Sequence, residues 1–149
     1  MTPYEIVAII ISGIGLLISI ISIVRANNAH KIAQGQIELN IHQLLNQTKK
    51  DVMDVTLVIA EKCSDNDESM KAVLTQALNT ANERNLNAYD EACAKYLDNK
   101  VDKERFKKNY HIEIRQLVED ENNKSKFDAN TSPYKGILKV YKEWNDLEK

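Results

Sequence analysis

The chain is poor in glycine and proline, the residues that most often interrupt helices and shape tight turns. It has four glycines and two prolines among 149 residues. Two-residue hairpins depend on glycine-containing turns, so this scarcity excludes a protein built mainly from short strands. Strong helix formers dominate the remaining positions. The sequence therefore predicts an all-α protein.

The chain also lacks an excess of charge of one sign. Its 20 Lys and Arg residues against 22 Asp and Glu residues give a net charge of −2 at pH 7. Bulk charge thus gives no sign of a nucleic-acid-binding protein, although a local basic patch is compatible with this balance. About 125 residues remain outside any membrane segment, which is enough for one modest domain.

Cysteine is scarce as well. The two cysteines, Cys63 and Cys93, form no CxxC pair and stand at no zinc-ligand spacing. We predict free, mostly buried thiols, no metal site and no cofactor. Because no nucleophile–base pair, phosphate-binding glycine loop or pair of catalytic carboxylates emerges, a protein without enzymatic activity is the leading prediction.

The N-terminal part of the chain contains no charge from Ile6 to Val24. A helix over this run spans about 28 Å, close to the roughly 30 Å hydrocarbon core of a bilayer. No Lys or Arg precedes the run, which is longer than a signal-peptide core, so we expect a retained transmembrane helix over residues 1–26. Arg25 and Lys31 follow it, which predicts a single-pass inner-membrane protein with its N-terminus outside and its C-terminal domain in the cytoplasm.

One face of this helix, called the seam, carries small or neutral polar residues at alternating spacings of four and three. The spacing continues beyond the membrane segment, where Ile37, Ile41 and Leu44 each follow a seam position. A long heptad repeat with a polar centre and apolar flanks favours a homo-oligomer of four or more subunits. Two interpretations stay open within the membrane: close packing through small residues, or a hydrated axis lined by serine. The positions predicted to face the oligomer axis are Ala8, Ser12, Gly15, Ser19, Ser22, Ala26, Ala29, Ala33, Gln36, Asn40, Gln43 and Gln47.

After Thr48 the apolar pattern becomes that of a globular helical domain. We predict a helical stalk and first bundle helix over residues 27–63, followed by a small cytoplasmic helical bundle over residues 64–149. The apolar side of the first bundle helix should carry Val52, Val55, Leu57, Val58 and Ile59.

Local signals predict the ends of the other helices. We expect a turn at residues 98–100, a helix capped by Asp102 and a last helix started by Ser132–Pro133. We also expect the second helix to loosen near residues 82–87, and an irregular loop over residues 119–130. The last helix should bury Ile137, Leu138, Tyr141 and Trp144.

Three segments carry a resemblance to known proteins. Residues 86–97 read LNAYDEACAKYL, residues 101–110 read VDKERFKKNY and residues 132–144 read SPYKGILKVYKEW. They resemble small bacterial single-pass membrane proteins encoded beside antiviral systems, namely the membrane accessory protein of type VI-B CRISPR loci and the Hailong-type channel effectors. The resemblance implies a homo-oligomeric effector that depolarises or permeabilises the inner membrane during phage infection.

The CRISPR-associated relatives have a fold similar to HEPN domains, whose ribonuclease motif is an Arg followed by a His after four to six residues. Arg105 and His111 have this spacing and are the candidate catalytic pair. Phe106 departs from the motif, because active members usually have a polar residue after the arginine. A membrane-tethered ribonuclease is therefore one alternative function, and a passive membrane scaffold for a cytoplasmic partner is another.

A short basic cluster is made of Lys103, Arg105, Lys107 and Lys108. It is either a solvated helix face balanced by neighbouring acids or a binding site for a nucleotide, an oligonucleotide or a defence-system protein. The leading hypothesis is a homo-oligomeric membrane channel in anti-phage defence, gated by its cytoplasmic domain. Its partners would be other copies of the chain, the lipid bilayer and such a regulator.

Overall fold

The computed structural model describes the backbone of residues 2–62 and 68–146, and the side chains of residues 2–4, 12–62 and 68–145. Every regular element within these ranges is helical, as the sequence predicts, and no strand occurs among them. The elements are α1 (Pro3–Lys62), α2 (Glu68–Leu97), α3 (Lys103–Glu119), a 3₁₀ helix (Glu121–Lys126) and α4 (Lys135–Asp146).

The helix ends follow from local chemistry. The Asp102 carboxylate caps α3 by accepting the N–H of Arg105 at 3.0 Å, which confirms the predicted cap. The predicted turn after α2 is also confirmed: Asn99 adopts a left-handed conformation with φ of 56°, and the N–H of Lys100 donates to the carbonyl of Lys95 at 2.9 Å. Helix α1 extends to Lys62, and the helix end expected near Cys63 lies outside the described residues.

The chain divides into two compact units, Met1–Gln36 and Ile37–Lys149. The described part of the first unit is the N-terminal part of α1. The second unit contains the rest of α1 together with α2, α3, the 3₁₀ helix and α4. It starts eleven residues before Thr48, the position at which the sequence pattern becomes that of a globular domain.

The second unit has one hydrophobic core, to which every α-helix contributes. At its centre the Trp144 ring meets the Tyr96 ring edge-on, with 5.4 Å between the ring centroids. The Trp144 indole N–H donates to the Tyr96 hydroxyl at 3.0 Å, so its polar atom is satisfied inside the core. The buried residues of this core are Ile41, Leu45, Leu86, Ala88, Tyr89, Ala92, Cys93, Tyr96, Val101, Phe106, Tyr110, Ile114, Phe127, Tyr134, Ile137, Val140 and Trp144.

Helices α2 and α4 lie close together at Gly136. A Cβ atom at this position would lie 2.8 Å from the backbone oxygen of Asp90, so only glycine fits without a shift. The Asp90 carboxylate accepts the N–H of Ile137 at 3.0 Å. One carboxylate of α2 thus satisfies a donor in the first turn of α4 that has no partner within the helix.

Three expectations about the helices are wrong. Helix α2 is unbroken through residues 82–87 because Leu86 is buried in the core and Asn85 is a tertiary hydrogen-bond partner of Thr48. Residues 119–130 are not all irregular: Asp120 follows α3 and accepts the N–H of Asn122 at 2.9 Å, which starts the 3₁₀ helix.

The third correction concerns the start of the last helix. The Ser132 hydroxyl does accept the N–H of Tyr134 at 3.1 Å, but α4 begins at Lys135 rather than at Pro133. Its buried residues are Ile137, Val140 and Trp144, whereas Leu138 and Tyr141 are only half-buried.

The apolar side of α1 also differs from the prediction. Ile41 and Leu45 supply the core contacts, whereas Leu57 and Val58 are exposed. A turn-by-turn apolar pattern cannot tell which turns a neighbouring helix covers. The remaining predicted positions, Val52, Val55 and Ile59, are half-buried.

Candidate functional site

The described part of the first unit offers an apolar helix surface that is exposed to its surroundings. By length and composition α1 is able to cross a membrane, and no residue of its most apolar window is buried. Leu16 is 63% exposed and Ile23 is 62% exposed. A contiguous apolar surface of this kind marks contact with lipid or with other protein chains.

The serine hydroxyls of this segment are satisfied within the helix. Ser19 donates to the carbonyl of Gly15 at 2.9 Å, and Ser22 donates to the carbonyl of Ile18 at 2.8 Å. Each hydroxyl proton therefore has a partner without water, which lowers the cost of placing these serines in an apolar environment.

The small residues at the seam leave the helix surface open. A Cβ atom built at Gly15, on the seam, or at Gly13, off the seam, would have no heavy atom within 4 Å. Every seam position with a described side chain is exposed in the single chain, while Ala8 lies among the residues whose side chains are not described. The assignment of the seam to an oligomer axis remains a prediction.

A second group of polar side chains lies where α1 meets α3 in the unit Ile37–Lys149. The Glu38 carboxylate accepts the Arg105 guanidinium at 2.8 Å through one oxygen. Its other oxygen accepts the backbone N–H of Asp102 at 2.9 Å. Glu38 therefore bonds both to the first turn of α3 and to the cap that precedes it.

Three turns further along α1, Lys49 forms a second ion pair with α3. Its ammonium lies 2.7 Å from one carboxylate oxygen of Glu113 and 5.7 Å from the centre of the Tyr89 ring. The Tyr89 hydroxyl donates to the other oxygen of Glu113. Burial raises the pKa of the Tyr89 hydroxyl far above the ordinary value, and the hydrogen bond to Glu113 raises it further. The hydroxyl therefore stays a donor at any physiological pH.

A buried hydroxyl ties α2 to the same region. Thr48 donates to the Leu45 carbonyl at 3.1 Å and lies 3.0 Å from the Asn85 side-chain oxygen. Together with the Lys49–Glu113–Tyr89 group, this contact joins α1, α2 and α3 by polar bonds around the helix core.

Cavities lie along the junction of α1 and α3. One of about 80 Å³ lies beside Glu38 and Arg105, one of about 300 Å³ lies between His42 and Glu113, and one of about 290 Å³ lies beside Lys49 and Asp120. All three have charged or amide side chains in their walls, so solvent and polar molecules have access to both ion pairs.

The predicted basic cluster is divided among different environments. Arg105 pairs with Glu38, and the Lys103 ammonium lies 5.0 Å from the centre of the Tyr96 ring. Lys107 is half-buried, whereas Lys108 is exposed. Two of the four positive charges are thus already engaged by groups of the protein.

The two candidate catalytic residues lie in separate environments. Arg105 faces Glu38 of α1, whereas the His111 ring packs edge-on against Trp144 with 5.7 Å between the ring centroids. The His111 Nε2 atom is buried and has no hydrogen-bond partner among the residues that the structure describes. Six residues of helix also turn the two side chains about 120° apart.

The described residues hold no group of three or more His, Cys, Asp or Glu side chains arranged for a metal ion. Cys93 is a free thiol in the core, as predicted, and burial raises its pKa far above the ordinary value. Such a thiol is a packing group rather than a nucleophile at neutral pH.

Sequence reasoning did not single out Glu38, Lys49, Tyr89 or Glu113 as members of a site. The ion-pair partners Lys49 and Glu113 are 64 residues apart, and Glu38 and Arg105 are 67 apart. A single sequence carries no local signal at that separation. The nearest hint is the spacing of Glu38 and Lys49, which puts both on one face of a helix.

Comparison with known proteins finds no matching family model, no matching curated protein and no matching solved structure.

Proposed function

We propose that the protein is a homo-oligomeric membrane channel that depolarises the inner membrane in bacterial anti-phage defence. The observation that carries this proposal is the apolar segment of α1, whose exposed surface includes a face of small and polar residues. The apolar faces would contact lipid, and the small residues would face neighbouring copies around the axis.

The serines of this face could also line a conducting axis. Ser19 and Ser22 each direct the hydroxyl proton back to the helix, which leaves oxygen lone pairs at the surface. In selectivity filters, oxygen atoms coordinate cations through their lone pairs. A ring of such oxygens would provide a polar path through an otherwise apolar layer.

The remaining elements of the proposal rest on the sequence. Arg25 and Lys31 follow the apolar segment, which favours a cytoplasmic position for the rest of the chain. The resemblance of residues 86–97, 101–110 and 132–144 to membrane effectors supports a role in defence against phage. The unit Ile37–Lys149 would then be the gating domain.

The chain offers a matched pair of variants that tests the seam. Gly15→Leu and Gly13→Leu add the same side chain at nearly the same depth, and neither added Cβ meets an atom of its own chain. Only Gly15 lies on the seam. We expect Gly15→Leu to abolish ion flux in proteoliposomes, because bulk enters the subunit contact or the conducting path, while Gly13→Leu keeps wild-type flux.

Subunit number in detergent completes the test, with both variants compared with the wild-type chain. A wild-type dimer would exclude a central pore and overturn the proposal. Equal flux from the two glycine variants, with both proteins inserted to the same extent, would contradict the assignment of the seam to the axis.

A further inference from the structure

Two ion pairs join the same face of α1 to α3. Glu38 and Lys49 are eleven residues apart, which is three helical turns or about 16 Å, so their side chains return to one face. Glu38 pairs with Arg105 and Lys49 pairs with Glu113. The buried apolar side chains of α1 between them are Ile41 and Leu45.

These ion pairs are reversible contacts rather than permanent ones. The side chains of Lys49 and Glu113 are 40% and 37% exposed, and in the other pair Arg105 is 62% exposed and Glu38 is 18% exposed. Ion pairs of this exposure contribute little each and are weakened by salt. The adjacent cavities give a charged molecule access to both pairs. Without these ion pairs, the junction would be held mainly by the buried apolar side chains of α1 and α3.

We propose that the two ion pairs form a clamp that holds α3 against α1 in the resting state, and that competition for their charges releases α1 to open the channel. This inference rests on the proposed channel function. Helix α1 is the element that carries both the apolar segment and the clamp residues, so a change at Glu38 and Lys49 acts directly on the helix that would form the pore.

The clamp is tested by removing its carboxylate charges from the full-length chain. Glu38→Gln with Glu113→Gln keeps the size of both side chains and an oxygen that accepts the N–H of Asp102 or the hydroxyl of Tyr89. The control is Glu91→Gln, which removes a carboxylate that pairs with Lys95 inside α2. Amide hydrogen exchange in detergent and ion flux in proteoliposomes are measured for all three proteins.

We expect exchange of the α3 amides to become about tenfold faster in the double variant, because two ion pairs no longer oppose local opening. Flux in the absence of any regulator should rise several-fold above wild type. Glu91→Gln should match wild type in both measurements. Unchanged α3 exchange in the double variant would overturn the clamp itself, and faster exchange with unchanged flux would overturn its role in gating.

These outcomes differ from a failure of the channel proposal. If Gly15→Leu and Gly13→Leu conduct equally, the seam assignment fails whatever the clamp variants do. Hydrogen exchange still decides on its own whether the clamp exists, because it is measured on the folded protein and needs no conducting state.

Discussion

Helix α1 belongs to two different environments in its two units. At residues 12–33 every side chain is exposed, including the apolar ones, whereas Ile41 and Leu45 are buried in the core. An apolar segment of this length would be stable as a helix in lipid, because the backbone hydrogen bonds of a helix are internal. The part of α1 that carries Ile41 and Leu45 depends on packing by α2, α3 and α4. The same secondary structure therefore rests on backbone bonding in one unit and on tertiary contact in the other.

The largest expected effect comes from Trp144→Ala in the second unit. Trp144 is 1% exposed and contacts Tyr96 and Phe106, so truncation should lower the free energy of unfolding by about 3–5 kcal/mol. Ile112→Ala, at a side chain that is 68% exposed, should change it by less than about 0.5 kcal/mol. Both changes in the free energy of unfolding are measured by urea titration. Helix content is monitored by far-UV circular dichroism, because that signal does not depend on Trp144. Retained helix signal after the bundle unfolds would mark the lipid-stabilised segment, and loss of all helix in one transition would contradict the comparison.

Two glycines sharpen the same contrast. Gly136→Ala places a methyl group 2.8 Å from the Asp90 backbone oxygen and should destabilise the second unit by about 1–3 kcal/mol. Gly35→Ala, at an open position of α1, should instead stabilise its helix by up to about 1 kcal/mol. Thermal unfolding in detergent measures whether each substitution raises or lowers the stability. A stable Gly136→Ala protein would mean that α2 and α4 separate easily.

Cys93 reports on the core without altering its packing. Its thiol is buried and burial raises its pKa, so iodoacetamide should label it very slowly in the folded Cys63→Ser chain and fully in denaturant. Labelling is read by mass spectrometry. Rapid labelling under native conditions would show that the bundle opens often. The free energy of opening would then be close to that of a helix with no packing partners.

The smallest effect is expected at the turn before α4. The N–H groups of Asn130 and Thr131 and the Thr131 hydroxyl donate to the Asp128 carboxylate, which lowers its pKa. Because the pKa is lower in the folded chain, Asp128 stabilises the fold above the ordinary carboxyl pKa and loses that contribution as pH falls through its folded value. Asp128→Ala should lower Tm slightly at pH 7, and the difference from wild type should shrink on acidification. A difference independent of pH would contradict this role.

Local chemistry made several features predictable from the sequence. The Asp102 cap and the turn at residues 98–100 each depend on neighbours within a few residues, and both are confirmed. Ser132 hydrogen-bonds as a cap should, yet α4 starts later because Asp90 of α2 supplies a partner for Ile137. The predicted loosening of α2 failed because burial of Leu86 outweighs the weak helix propensity of its polar neighbours.

The sequence by itself determined the all-α class and the charge-free segment, because helix propensity and hydropathy act residue by residue. It also defined the seam, whose role in assembly stays a prediction. Only the tertiary structure decided that α1 enters the core through Ile41 and Leu45, and that Glu38 and Lys49 bond to α3. The physical reason is that ion pairs and buried contacts between residues more than 60 positions apart depend on how the helices pack, and no local pattern encodes that packing.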